Sequence, residues 1–72
     1  MSQERVRILF KKPIRDRELH FLLLLYFGYR KGNYVTSHRE AIVGLDVWKD
    51  DWLKLPDILR AKLKHYKPQV MQ

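Results

Sequence analysis

Hydrophobic and polar residues alternate near the start of the chain. Over residues 5–12, the alternation places Val6, Ile8 and Phe10 on one side of an extended backbone. A period of two residues is typical of a β-strand with one buried face. Pro13 has no backbone N–H to donate, so we expect the strand to end there.

The following segment is mostly apolar and has the end signals of a helix. Asp16 is suited to the N-cap, and either Gly32 or Asn33 can supply a left-handed stop. These signals predict a helix from Arg17 to Lys31, apolar nearly all round and therefore central and buried. A buried strand is the alternative for its apolar middle. Gly28 indicates either close packing by another element or an early end to the helix.

A second pattern follows the Gly-Asn turn. The segment of residues 34–36 is short and consists of residue types that favour β-strands. Ser37 and Glu40 then have the spacing of a capping box, in which each side chain bonds to the other residue's backbone N–H. The box predicts a short helix over residues 41–45.

The last third of the chain predicts two further helical pieces. Trp48 and Trp52 are four residues apart, which favours one helical turn. Pro56 breaks it and makes a good first residue for a terminal helix. Residues 68–72 are expected to fray after the helix ends. The inner stripe of the terminal helix consists of Leu59, Leu63 and Tyr66.

These elements predict an α+β fold in a single compact domain over residues 1–67, with a frayed tail over 68–72. Its parts are an N-terminal strand, a buried central helix, a short capped helix and a basic C-terminal helix. The alternative is a mainly α, winged-helix-like domain, because residues 19–67 resemble the helical part of winged-helix and helix-turn-helix regulators.

The composition of the chain argues against several classes of function. The chain has 72 residues, no cysteine and three histidines. Without cysteine there is neither a disulfide framework nor a thiolate metal site, which favours the cytoplasm. His20, His38 and His65 belong to no zinc-binding pattern. Seven consecutive apolar residues are too few to cross a membrane. We therefore predict no catalytic residue, no metal, no cofactor and no membrane contact.

Charge points to an anionic partner. The formal net charge is +7, which is typical of proteins that bind nucleic acid, anionic membranes or acidic protein surfaces. The acidic residues cluster over 46–57, where the reading helix of a DNA-binding domain would begin, and this weakens the DNA interpretation. A small domain rich in aromatic residues and arginine fits a protein interface better.

Two groups of exposed cations are the candidate contacts. The N-terminal group is expected to bind a protein partner and comprises Arg5, Arg7, Lys11, Lys12, Arg15 and Arg17. The C-terminal group is expected to contact phosphates of non-specifically bound DNA and comprises Arg60, Lys62, Lys64 and Lys67.

The whole chain, from Met-Ser-Gln-Glu-Arg-Val-Arg to the Lys-Pro-Gln end, resembles the small basic transcription regulators with which bacteriophages, including Xanthomonas phages, bind host RNA polymerase. The resemblance lies in size, charge and overall sequence. It implies a partner surface near the N-terminus of the polymerase β′ subunit, inhibition of σ-dependent initiation, and antitermination. It assigns no contact residues.

Overall fold

A four-stranded antiparallel sheet organises the molecule. The computed structural model describes residues 4–28, 30 and 32–71. The elements follow in the order β1 (Arg5–Ile14), α1 (Arg17–Leu23), a π-helical turn (Leu24–Gly28), β2 (Tyr34–His38), β3 (Ala41–Trp48), α2 (Lys49–Leu53), α3 (Asp57–Lys64) and β4 (Pro68–Met71). The strand order across the sheet is β2-β3-β1-β4. This architecture confirms the α+β class, and the mainly α alternative is wrong.

The core lies between the helices and one face of the sheet. In the β1–β3 pair, Val6 lies opposite Val47 and Ile8 lies opposite Leu45. Opposed residues of an antiparallel pair share a face, so these four side chains project together into the core. The helices and the segment between α2 and α3 contribute apolar side chains from the other side, and the strongly buried ones are Leu19, Leu23, Phe27, Trp52, Leu55, Leu59 and Leu63.

Strand β1 continues past the proline that was expected to end it. The register with β3 shifts between Leu9 and Ile14. Within this stretch, β1 bonds instead to the chain before β4, where Lys11 N donates to the carbonyl oxygen of Lys67 at 3.3 Å. Pro13 lies where the β1–β3 ladder is interrupted, so its missing donor leaves no gap in that ladder.

Helix α1 begins as predicted and ends early. The carboxylate of Asp16 accepts hydrogen bonds from the backbone N–H groups of Glu18 and Leu19, at 2.9 and 3.3 Å. The helix widens into the π-helical turn, which ends at Gly28. A Cβ at Gly28 would touch only Leu24, so this glycine marks the end of the helix and not a close packing contact. Of the remaining predicted helix, residues 29 and 31 lie outside the described residues.

The outer side of α1 is apolar but not buried. Leu19, Leu23 and Phe27 point into the core, whereas Phe21 and Leu25 are 60% and 46% exposed. The expectation that this helix is surrounded by protein is therefore wrong. It lies on the surface of the sheet and buries one face.

The short helix predicted over residues 41–45 is a strand. Residues Arg39 and Glu40 form a two-residue turn, both with positive φ (52° and 63°), as a type I′ β-hairpin requires. His38 pairs with Ala41 across this turn. Glu40 is thus in the turn of a hairpin and not in a capping box. Residues 41–48 lie within the 19–67 segment of the helix-turn-helix alternative, and they are a strand where that alternative needs a helix.

The C-terminal region follows the predicted helices but not the predicted tail. Pro56 is the N-cap of α3 and not its first helical residue, while Leu59 and Leu63 are buried as expected and Tyr66 is half-buried. In place of a frayed tail, Pro68–Met71 form β4, which pairs with β1 from Phe10↔Pro68 to Arg7↔Met71. Residue 72 lies outside the described residues.

Gly44 provides a test of the central strand pair. A Cβ at this position would lie 2.9 Å from the backbone oxygen of Ile8, and this oxygen belongs to the sheet. We expect Gly44→Ala to lower the free energy of unfolding by about 1–3 kcal/mol, measured by urea denaturation. Gly28→Ala is the control and should leave it unchanged or raise it by up to ~1 kcal/mol. Equal effects of the two variants would contradict the pairing.

A truncation tests the fourth strand. Deleting residues 69–72 removes most of the β4 ladder, which pairs four residues with β1. At ~0.5–1.5 kcal/mol net for each lost hydrogen bond, we expect the free energy of unfolding to fall by about 2 kcal/mol. A thermal or urea denaturation curve identical to that of the full chain would instead indicate a frayed tail.

Candidate functional site

The side of the sheet opposite the helices is a surface that we call the open face. Its residues follow from the register, because opposed residues share a face: Arg7 pairs with Asp46 in β3 and with Met71 in β4, and Asp46 pairs in turn with Tyr34 in β2. Across the four strands the open face consists of Arg5, Arg7, Leu9, Tyr34, Thr36, Gly44, Asp46, Trp48, Gln69 and Met71.

A cation held between aromatic rings organises one end of the open face. The Arg5 guanidinium lies 4.6 Å from the ring centroid of Trp48 and 5.4 Å from that of Tyr34. The same group donates to the Asp46 carbonyl oxygen at 2.7 Å and to its carboxylate at 3.1 Å. Arg5 was predicted to be an exposed partner contact. Its Nη2 group donates both of these bonds within the protein, and its side chain is 29% exposed, so Arg5 helps to hold its neighbours in place.

The middle of the open face is exposed and mixed in chemistry. Leu9, Tyr34 and Met71 are 40%, 63% and 46% exposed. The Arg7 side chain is 67% exposed, and its guanidinium lies 3.8 Å from Asp46. Gly44 has no side chain, and Leu9 lies across the space that a Cβ would occupy. These residues offer apolar area with a cation that remains accessible to a partner.

The acidic segment is used to hold the fold together. Buried Asn33 donates to the Asp51 carboxylate at 2.8 Å and accepts from the Trp48 backbone N–H at 3.1 Å. Arg30 pairs with the same carboxylate at 3.5 Å and lies over the ring of Tyr26. Asp46 and Asp51 are therefore neutralised internally. These two members of the acidic cluster over residues 46–57 are partners of Arg5, Arg7 and Arg30.

A second surface, the basic end, joins the two predicted groups of cations. Lys11 and Lys12 of β1 hydrogen-bond through their backbone N–H groups to the carbonyl oxygens of Lys67 and Tyr66, both at 3.3 Å. Lys64 precedes this segment at the end of α3. The basic end comprises Lys11, Lys12, Lys64, His65 and Lys67, all exposed.

The other predicted contacts lie apart from these surfaces. Arg15 and Arg17 line a cavity of about 320 Å³ with His20 and Glu40. The Arg60 guanidinium donates to the carbonyl oxygen of Trp52 at 2.7 Å, so this residue ties α3 to α2. Lys62 is exposed on α3. The structure therefore does not bring the predicted contacts into a single site.

Of the ten residues of the open face, sequence reasoning named only Arg5 and Arg7 as contacts. Tyr34, Asp46, Trp48 and Met71 were not among the predicted contacts. The signal for two of them was present, because Leu45 and Val47 alternate with Asp46 and Trp48, as a half-buried strand requires. Assigning residues 41–45 to a helix obscured that alternation.

Two kinds of feature, a metal site and a membrane-spanning helix, can be checked directly among the described residues. Among residues 4–28, 30 and 32–71, no three histidine or acidic side chains come together in a way that could hold a metal ion. In the same part of the chain, no helix is long and apolar enough to span a membrane.

The Asp46 carboxylate provides a test of the open-face network. Asp46→Asn removes the anion that faces both Arg5 and Arg7. We expect the free energy of unfolding to fall by about 0.5–1 kcal/mol at low salt and by less at high salt, because the pairs are partly exposed. Urea denaturation at two salt concentrations measures this. Glu4→Gln, which breaks only the exposed pair with Lys49, is the control. An equally large loss for the control would contradict the network.

Comparisons of the chain with protein-family models, with curated proteins and with solved structures found no match. The two surfaces and the charge of the chain are therefore the features that bear on function. The open face and the basic end are the regions from which a function can be derived.

Proposed function

We propose that this protein is a non-enzymatic transcription regulator that binds bacterial RNA polymerase through its open face and inhibits σ-dependent initiation. The observation that supports the proposal is the joint exposure of Arg7, Leu9, Tyr34 and Met71 on one side of a sheet. Tyrosine and arginine are enriched among the residues that contribute most to protein–protein binding. A broad exposed face suits a macromolecule better than a small ligand, which needs a concave pocket.

The charge of the surface defines the chemistry of the partner. Arg7 is exposed on the open face, and the whole chain carries a net charge of +7. An acidic partner surface would attract this protein at long range and pair with Arg7 on contact. A second copy of the chain would be repelled by the same charge.

The identity of the partner is proposed from the resemblance to phage regulators of transcription. Under this proposal the open face contacts the N-terminal region of the polymerase β′ subunit and opposes productive engagement of σ. The same contact, kept during elongation, acts in antitermination. The site of action is then the bacterial cytoplasm.

The binding test uses purified Xanthomonas core RNA polymerase, the isolated N-terminal region of β′, and biolayer interferometry. We expect Tyr34→Ala/Met71→Ala to weaken binding at least tenfold, which corresponds to about 1.4 kcal/mol. The matched control is Leu53→Ala/Ile58→Ala, which removes two exposed apolar side chains on the helical side of the molecule. It should change the affinity less than threefold.

Three outcomes decide the proposal. Absence of binding to core polymerase by the wild-type chain contradicts it. Stronger weakening by the control than by the open-face variant contradicts the assignment of the surface. Binding that leaves σ-dependent transcription in vitro unchanged contradicts the proposed inhibition.

A further inference from the structure

The basic end gathers positive charge from two distant parts of the sequence. Lys11 and Lys12 belong to β1, whereas Lys64 and Lys67 belong to the end of α3 and the segment before β4. The four ion pairs among the described residues use Arg5, Arg7, Arg30 and Lys49 as cations. None of these four pairs includes a residue of the basic end. The charges of this surface are therefore not compensated there by ion pairing.

Two of these lysines are held against each other by the backbone. The β1–β4 register ends at Phe10 and Pro68, and just beyond it the backbone N–H of Lys11 donates to the carbonyl oxygen of Lys67 at 3.3 Å. Two like charges on neighbouring backbone segments repel each other. Lys67 also has a φ of 53°, in the left-handed region that glycine or asparagine occupies at less cost. A bound anion would relieve the repulsion.

Acidic side chains give this surface little relief. Asp57 and Lys64 line one cavity of about 450 Å³ beside Pro68. However, Asp57 begins α3 and Lys64 ends it, so their backbones are separated by about 10 Å along the helix axis. The basic end lies at the C-terminal end of α3, where Lys64 is, and not at the N-terminal end, where Asp57 is.

We infer that the basic end binds the phosphate backbone of duplex DNA without reading its sequence. Lysine ammonium groups on flexible stems are point charges, which suit repeated phosphates better than base edges. Duplex DNA presents one negative charge per ~1.7 Å of helix axis, a density that matches several neighbouring lysines. The five residues of the basic end include no apolar anchor of the type that protein interfaces need. This inference goes beyond the proposed function and does not require it.

The test is a fluorescence anisotropy titration of labelled duplexes of about 20 base pairs, in two unrelated sequences, from about 50 to 200 mM salt. Contacts from four lysines predict a slope of log K against log salt of about −3 to −4. We expect Lys11→Gln/Lys67→Gln to reduce the slope by about 2 and to weaken binding at least tenfold at the lowest salt.

A matched variant controls for net charge. Lys49→Gln/Lys54→Gln also removes two positive charges, but from α2 and its C-cap, which lie beside the end of the sheet where Arg5 pairs with Trp48. It should change the slope by less than half as much as the basic-end variant.

Four results would overturn the inference. The first is no binding of either duplex at the lowest salt, and the second is equal weakening by the two variants. A tenfold preference for one duplex would indicate base reading. Displacement of labelled DNA by poly-L-glutamate at a lower charge concentration than by unlabelled duplex would identify an acidic protein segment as the ligand. One further result would support the inference. If the open-face variant loses polymerase binding and keeps DNA binding, the two surfaces bind different partners.

Discussion

Strand β1 lies between β3 and β4, and the rest of the structure depends on the alternation of its side chains. Val6 and Ile8 meet Val47 and Leu45 under the helices. A slip of one residue would turn these apolar groups toward water and bury charged ones. The register therefore fixes which residues of β1 face outward, and with them the composition of the open face. The same strand brings Lys11 beside Lys67 through its pairing on the other side.

Acidic and basic side chains have different roles in this protein. Asp46 and Asp51, from the acidic segment, pair with Arg5 and Arg30 and tie β1 and the turn before β2 to the β3–α2 region. The lysines of the basic end have no such role among the described residues. Positive charge is therefore left at one end of the molecule, because the acidic groups of the four ion pairs, Glu4, Asp46 and Asp51, lie elsewhere. This separation allows a protein of this size to present a mixed face and a basic surface to different chemical partners.

Local signals predicted several elements correctly. The alternation in β1, the Asp16 cap and the Leu59–Leu63 stripe each depend on residues close in sequence, and each is confirmed. The capping box of Ser37 and Glu40 is a local signal of the same kind, yet it is wrong. Residues 41–48 gain more by pairing with both β1 and β2 than a short helix would provide, since short helices are marginal without packing. A type I′ turn at Arg39 and Glu40 has none of the usual Asn-Gly chemistry, so the hairpin was not visible in the sequence.

The sequence by itself determined the α+β class, the core side of β1, the start of α1 and the excess of positive charge, because periodicity, capping and composition act over a few residues. Only the tertiary structure decided that β1 is an interior strand, that residues 68–71 complete the sheet, and which cations are accessible. Arg5 and Lys11 look equivalent in the sequence. One is held by Asp46 and Trp48, and the other is placed against Lys67, because strand pairing joins residues that are far apart along the chain.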